Sequence, residues 1–378
     1  DEELDVGALR LRRAAGRGLV HHGARGLGRR RVLADHGVES GVADRPLGGR
    51  LVLAPHVVER MLRKRHGQAA FDAYDEANKT VTLKRNDDYW GDKAKNAEIV
   101  FNIIPNESTR RQELEADSIN GYDLPNPVDW KALEDDGNQV EIRDPFNVLY
   151  VAFNPESNPA LKDLKVRQAL DMAVNREQLV KSQLPEGATA ASQFYPDTVE
   201  GYNKDLAVTK YDPEGAKKLL KEAGQENLKL TFAYPSEVSR PYMPNPQKLH
   251  EAIKNDLEEA GIKVEVTTKP WNGGYLDNVD AGKYDAWLLG WTGDYDSADN
   301  FIGTFFGNLK SNDFHTSATD FGADLSKAPK DADQTVDEAE RTKKYEELNK
   351  KIHDEYVPGL PISHSPPALV VGEGVEGL

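Results

Sequence analysis

The stretch "NPQKLHEAIKNDLEEAGIKVEV", residues 245–266, constrains the fold more than any other part of the chain. Asn245 reads as an N-cap, Pro246 suits a first helical position because it has no amide to leave unpaired, and Gly261 reads as the stop. Leu249, Ile253 and Leu257 recur at helical spacing and share one face. The strand "IKVEV" follows at once, with no room for a loop. A helix with a single apolar stripe that turns straight into a strand must lay that stripe on a sheet. "YDPEGAKKLLKEAG" repeats the grammar, with Asp212 as cap, Pro213 at the first position and Gly224 as stop. "LKVRQALDMAVNREQLVKS" places Val166, Leu170, Ala173 and Val174 on one helical stripe, and "VDEAERTKKYEELNKKIHDEYVP" does the same with Tyr345, Leu348 and Ile352 before Pro358. Between them lie the short apolar runs "VLYVAFN", "LKLTFAY" and "YDAWLLGW". Strands alternating with capped helices predict an α/β fold with a mainly parallel or mixed sheet and no internal repeat.

Composition sets the limits. A chain of 378 residues can bury a sizeable core and is expected to make two domains. It has no apolar run of about 18 residues to cross a membrane, and it opens "DEELDVG" without a secretion signal. The absence of cysteine excludes thiol catalysis and zinc–thiolate sites. A net charge of −16 argues against nucleic acid, whose phosphates need basic partners. Near residue 70 the composition breaks. The stretch before it carries 13 Arg to one Lys and no aromatic, Ile, Asn or Thr residue; after it Lys outnumbers Arg 26 to 8. Residues 1–70 carry +6 and residues 71–378 carry −22. A basic binding arm and an unusual folded segment are alternatives. The preferred reading is that residues 1–70 are non-native or poorly ordered, since their residue set is what GC-rich codons yield in a shifted frame.

Several motifs fail on context. "GEGVEG", Gly372 to Gly377, spells a dinucleotide pattern with no helix after it to meet a phosphate. "DYDSADN" resembles a calcium loop, yet Asp299 stands where Gly is needed and Phe305 where Glu is needed. No His-x-x-x-His pair or Gly-x-Ser-x-Gly elbow occurs. Neither cofactor nor metal is expected, and no catalytic role. Two stretches remain. In "SEVSRPYMPNP", Arg240 follows the strand "LKLTFAY" on a loop stiffened by Pro241, Pro244 and Pro246. A guanidinium there could grip a carboxylate through two hydrogen bonds, or serve only as a surface or structural ion pair. In "GWTGDYDSADNF", Asp294 stands just past the strand "YDAWLLGW". Ligands of open α/β sheets gather at the carboxyl ends of strands, although an aspartate there is more often a turn residue. Together the two could clamp a zwitterion.

Residues 71–378 resemble the extracytoplasmic solute-binding proteins of ABC importers, in the large peptide- and nickel-binding class. The matching stretches are "VTLKRNDDYWG", "YVAFNPESNPALKDLKVRQALDMAVNREQLV", "YDPEGAKKLLKEAG", "RPYMPNPQKLHEAIKNDLEEAGIKVEV" and "GWTGDYDSADNF", in family order over about four-fifths of the chain. The resemblance implies a two-lobe periplasmic-binding-protein-like α/β fold. It implies partial lobe 1 over 71–146, a complete lobe 2 over 147–362, and a return to lobe 1 over 363–378. "RPY…W…GWTGD" looks most like the dipeptide-binding members. It implies that Arg240 holds a peptide's carboxylate, that Asp294 holds its α-ammonium, and that Trp271, in "KPWNGGY", is an aromatic wall of the side-chain pocket. Asp296 and Asp299 are expected only to shape the turn. The implied partners are a dipeptide or short peptide and the membrane permease, with the protein monomeric and extracytoplasmic. Nickel complexes, haem, glutathione and oligosaccharides are alternative cargoes. Family members also carry a signal peptide, often a lipid-bearing cysteine, and a fuller first lobe. Without that lid the chain is expected to bind dipeptides weakly or not at all.

Overall fold

The computed structural model describes residues 8–12 and 67–376, which form two compact units divided after Tyr122. The expectation for residues 1–70 therefore falls almost wholly outside the described residues. In the first unit an antiparallel sheet holds β1 (Ala8–Arg12), β2 (Ala69–Asp75), β3 (Thr80–Arg85), β4 (Glu98–Asn102) and the start of β5 (Gly121–Asp123), in the order β2-β3-β4-β1-β5. The helix Glu107–Glu115 is capped by Asn106, whose side chain accepts from the Thr109 amide at 3.0 Å.

The second unit begins at Asp123. It contains β6 (Gln139–Ile142), β7 (Asn147–Phe153), β8 (Thr189–Ala190), β9 (Lys229–Ser236), β10 (Lys263–Pro270), β11 (Ala286–Thr292), β12 (Gly359–His364) and β13 (Ala368–Val371). Six of these build a mixed sheet in the order β10-β9-β11-β7-β12-β8. β10, β9 and β11 run parallel; β7 is antiparallel to both of its neighbours, β11 and β12. β13 pairs with β6 instead, from Ala368↔Ile142 to Val371↔Gln139.

The predicted caps explain how the helices reach this sheet. Asp212 accepts from the Gly215 amide at 2.8 Å to start the helix Pro213–Glu222, and Gly224 ends it at φ +69. Asn245 accepts from the Lys248 amide at 3.1 Å to start Pro246–Glu259, and Gly261 ends it at φ +85. The stripe at Val166, Leu170, Ala173 and Val174 is buried as expected, but the helix Leu164–Met172 carries only its first two residues; Ala173 is the C-cap and Val174 precedes the next helix, Arg176–Gln183. Asn175 makes the break. Its side chain caps the second helix by accepting from the Gln178 amide, while its own amide donates to Asp256 at 2.9 Å.

Both faces of the mixed sheet are covered. Along β7, Leu149, Val151 and Phe153 join one apolar cluster with Val166, Leu170, Leu220, Leu249 and Ile253 from the capped helices. The alternate residues Val148, Tyr150 and Ala152 join a second cluster with Trp287, Phe301, Phe305 and Phe314. This is the period-2 alternation of a strand with two buried sides, which explains why "VLYVAFN" reads as one continuous apolar run. Truncating the Asn245 cap should test how far the local grammar supports the unit. Asn245→Ala is expected to cost about 1 kcal/mol of unfolding free energy, read as a lower urea midpoint with an unchanged slope.

Candidate functional site at the ends of three parallel strands

The three residues singled out in the sequence all emerge at one edge of the mixed sheet. β10 and β9 pair in parallel through Pro270↔Ser236, and Trp271 is the next residue after β10. Arg240 lies four residues past the end of β9, and Asp294 two residues past the end of β11. β9 and β11 pair only at Ala286↔Phe232 and Trp287↔Ala233, while β11 continues along β7 to Thr292↔Asn147. Where the β9–β11 pairing stops, the loop after β9 folds across β11. The Tyr242 ring packs on Gly290 so closely that a Cβ there would lie 2.3 Å from the ring and 2.5 Å from the Val148 carbonyl oxygen. Glycine is required at 290, and the contact joins the Arg240 loop to the strand that carries Asp294.

The Arg240 loop is a tight closed turn. The Arg240 amide donates to the Met243 carbonyl at 3.1 Å and the Met243 amide returns to Arg240 at 2.9 Å. Ser239 Oγ donates to the Pro244 carbonyl at 3.1 Å, and Tyr242 and Met243 are buried. The half-buried Arg240 side chain lays its guanidinium over the Trp271 ring, with Cζ 4.8 Å from the centroid. The contact sets the cation against the negative face of the indole ring. Trp271 is itself stacked on Tyr275 at 6.3 Å and 22°. Tyr275 is fully buried and donates its hydroxyl to the Leu288 carbonyl of β11 at 2.7 Å. The chain needs Gly274 at φ +96 to turn from Trp271 into the helix that bears Tyr275.

The Asp294 loop is pinned from beneath by aromatic packing. Gly293 donates its amide to the Phe146 carbonyl at 2.8 Å, and a Cβ there would meet the Phe146 ring at 2.3 Å. Phe301 is buried edge-on to Phe146 and beside Tyr195, and Phe305 packs on Trp291, Tyr150 and Phe194. Above this floor Asp294 and Asp296 are exposed. The Asp294 amide donates to Asn300 Oδ1 at 2.7 Å, an oxygen that also accepts from Trp291 Nε1 at 3.4 Å.

Asp299 does more than shape the turn. Its carboxyl faces that of Asp333, whose Oδ1 accepts from the Tyr345 hydroxyl at 2.6 Å. Burial, and then the neighbouring carboxyl of Asp333, push the Asp299 pKa up to about 6; a bond from Tyr295 opposes the rise. Gly303 makes room for this carboxyl, since a Cβ there would lie 1.8 Å from Asp299 Oδ1. Nothing in the sequence paired Asp299 with Asp333, which lies in a distant helix. For Asn300 the sequence offers one signal, a polar residue set directly before the apolar run that begins at Phe301. Among the described residues no group of three or more His, Cys, Asp or Glu could hold a metal ion.

The acid pair has a pH consequence of definite sign. A carboxyl whose folded pKa is raised binds its proton more tightly in the folded state, so its contribution to stability falls as pH rises from about 4 to about 6. Asp299→Asn should remove that fall. The wild-type Tm minus the variant Tm is expected to decrease across this window by thermal denaturation in matched buffers; a flat difference would show that the Asp299 carboxyl is not raised in the folded state.

Comparison with known proteins places this arrangement. Residues 70–313 match bacterial extracellular solute-binding proteins, family 5, middle region. Di/tripeptide-binding protein 1 of Pseudomonas aeruginosa (strain UCBPP-PA14) is 36% identical over 304 residues, covering 79% of this chain and 55% of that protein. The dipeptide-binding protein of Escherichia coli (strain K12) is 33% identical over 306 residues, with the same coverage of 79% and 55%. The crystal structure of a dipeptide-binding protein from Pseudoalteromonas sp. SM9913 in complex with Met-Leu is 28% identical, with TM-score 0.68 over 82% of this chain and 61% of that one. The chain thus spans about half the length of the curated relatives it matches. With its mixed sheet and the site edge that sheet carries, the chain belongs to the bacterial extracellular solute-binding proteins, family 5.

Proposed function

We propose that this protein is the substrate-binding component of an ABC importer, capturing dipeptides or short peptides by their zwitterionic termini and delivering them to a membrane permease without catalysis. One observation carries the reading. A guanidinium held on an indole and an aspartate held by a buried amide emerge at the ends of neighbouring parallel strands. In this reading Arg240 takes the peptide carboxylate, Asp294 takes the α-ammonium, and Trp271 lines the side-chain pocket with whatever surface the guanidinium leaves uncovered. The relatives that bind di- and tripeptides support the same cargo.

Two opposite charges set apart on one edge select by charge placement, and side chains matter less. A peptide transporter with broad cargo needs a roomy, wet pocket, in which water bridges to side chains at little cost. The terminal charges have no such latitude. Each must meet a fixed partner when it leaves water, and removing one member of a fully buried pair costs about 3–5 kcal/mol, on the order of 10²- to 10³-fold in affinity. A pair that stays wet is worth only about 0–1 kcal/mol.

Calorimetric titration up to millimolar ligand tests this with three peptides: free alanyl-alanine, its C-terminal amide and its N-acetyl form. The wild type should prefer the free dipeptide over both blocked forms. Arg240→Ala should abolish the preference over the amide and leave the preference over the N-acetyl form; Asp294→Ala should do the reverse. Equal affinity of the wild type for all three peptides would exclude the clamp. Trp271→Ala should weaken the free dipeptide by about two- to fivefold through the lost stack under Arg240, with Trp271→Phe intermediate.

A further inference from the structure

We infer that Asn300 is the positioning residue that holds Asp294 in place for the ligand's ammonium group. The inference rests on the role proposed above for Asp294. Asn300 is 3% exposed and closes the short turn Ala298–Asn300. Its Oδ1 is a single buried acceptor shared by two donors, the Asp294 amide at 2.7 Å and Trp291 Nε1 at 3.4 Å. These donors stand on either side of Gly293. The β11 ladder ends at Thr292↔Asn147, and the Gly293 amide is taken by Phe146. Beyond that point the main-chain amide of Asp294 is held by Asn300.

Asn300 can do this because it is itself fixed. Its amide donates to the Ser297 carbonyl at 3.1 Å, its carbonyl accepts from Thr304 Oγ1 at 2.8 Å, and the next residue, Phe301, is fully buried. Packing of Phe301 and Phe305 is therefore transmitted through one side-chain oxygen to the backbone that carries the exposed Asp294 carboxylate. The residue type fits the task. A carboxamide supplies a strong acceptor for both donors without burying a charge on the aromatic floor. An aspartate at 300 would keep the acceptor geometry; leucine would keep the volume and remove the acceptor. Serine would leave the turn polar with an oxygen too short to reach both donors.

Three variants and three peptides test the inference. Asn300→Leu should lose about five- to tenfold of the preference for free over N-acetylated alanyl-alanine, the range set by one net hydrogen bond. Its preference for the free dipeptide over the C-terminal amide should be unchanged, because that discrimination belongs to Arg240. Asn300→Asp should restore the amine preference. Amide exchange at Asp294 should quicken in Asn300→Leu and return in Asn300→Asp, with the β7 and β11 amides unaffected. If Asn300→Leu does not fold, Asn300→Ser takes its place with the same expectation. A purely structural Asn300 would lower Tm and reduce affinity for all three peptides equally, and that result overturns the inference. A variant that keeps the wild-type amine preference also overturns it. A wild type with no amine preference refutes the role of Asp294 itself, an outcome distinct from either.

Discussion

Burial of β7 on both faces is the constraint on which the second unit depends. All seven residues from Asn147 to Phe153 are buried, and the strand is hydrogen-bonded on both sides, to β11 and to β12. A strand in that position has no freedom to slip. A shift of one residue would exchange Leu149, Val151 and Phe153 with Val148, Tyr150 and Ala152 between clusters lined by quite different partners, aliphatic helix stripes on one side and a bed of aromatic rings on the other. The register of β11 on β7 is fixed by the same exclusion, and it decides where Gly290, Gly293 and Asp294 emerge.

The site edge follows from that register together with the parallel run of β9 and β10. Loops that leave parallel strands at the same end are brought side by side without contacts of their own, which is why such ends collect ligand groups. Here the loops also lock onto one another. Tyr242 occupies the space over Gly290, Arg240 lies on Trp271, Trp271 on Tyr275, and Tyr275 bonds back to Leu288 of β11. The chain of contacts closes on the strand from which Asp294 departs. The Arg240 guanidinium and the backbone of Asp294 are thus restrained before any ligand arrives, and restraint in advance lowers the entropy lost on binding.

Much of this was legible in the sequence because it is local. Asp212, Asn245, Gly224 and Gly261 mark helix ends by backbone chemistry that acts within a turn, and each stands where its residue type demands. Arg240, Trp271 and Asp294 were identified by motif, and a motif names residues without saying what holds them. The stack of Arg240 on Trp271 joins residues from two loops, and the facing carboxyls of Asp299 and Asp333 join a loop to a remote helix. Spacing along the chain carries no trace of either. The break at Asn175 was hidden for a different reason. The apolar stripe runs on past the end of the first helix to Val174, while the capping bond and the Asp256 partner at Asn175 depend on the fold around them.

The acids of residues 294–299 illustrate how one short loop can treat like groups differently. Asp294 and Asp296 are exposed, whereas Asp299 is turned inward against Asp333, with its pKa pushed up to about 6 by burial and by that neighbour. Were all three carboxylates ionised and close, their mutual repulsion would spread the loop and blur the place where an ammonium is met. Directing Asp299 into the protein and pairing it with a second acid removes much of its charge from the rim at mildly acidic pH. Asn300, neutral and buried beside it, bonds the backbone amide of Asp294 without adding a charge to the loop. In the proposed reading Asp294 is the rim carboxylate whose backbone is tied down, by Asn300, while Asp299 faces inward.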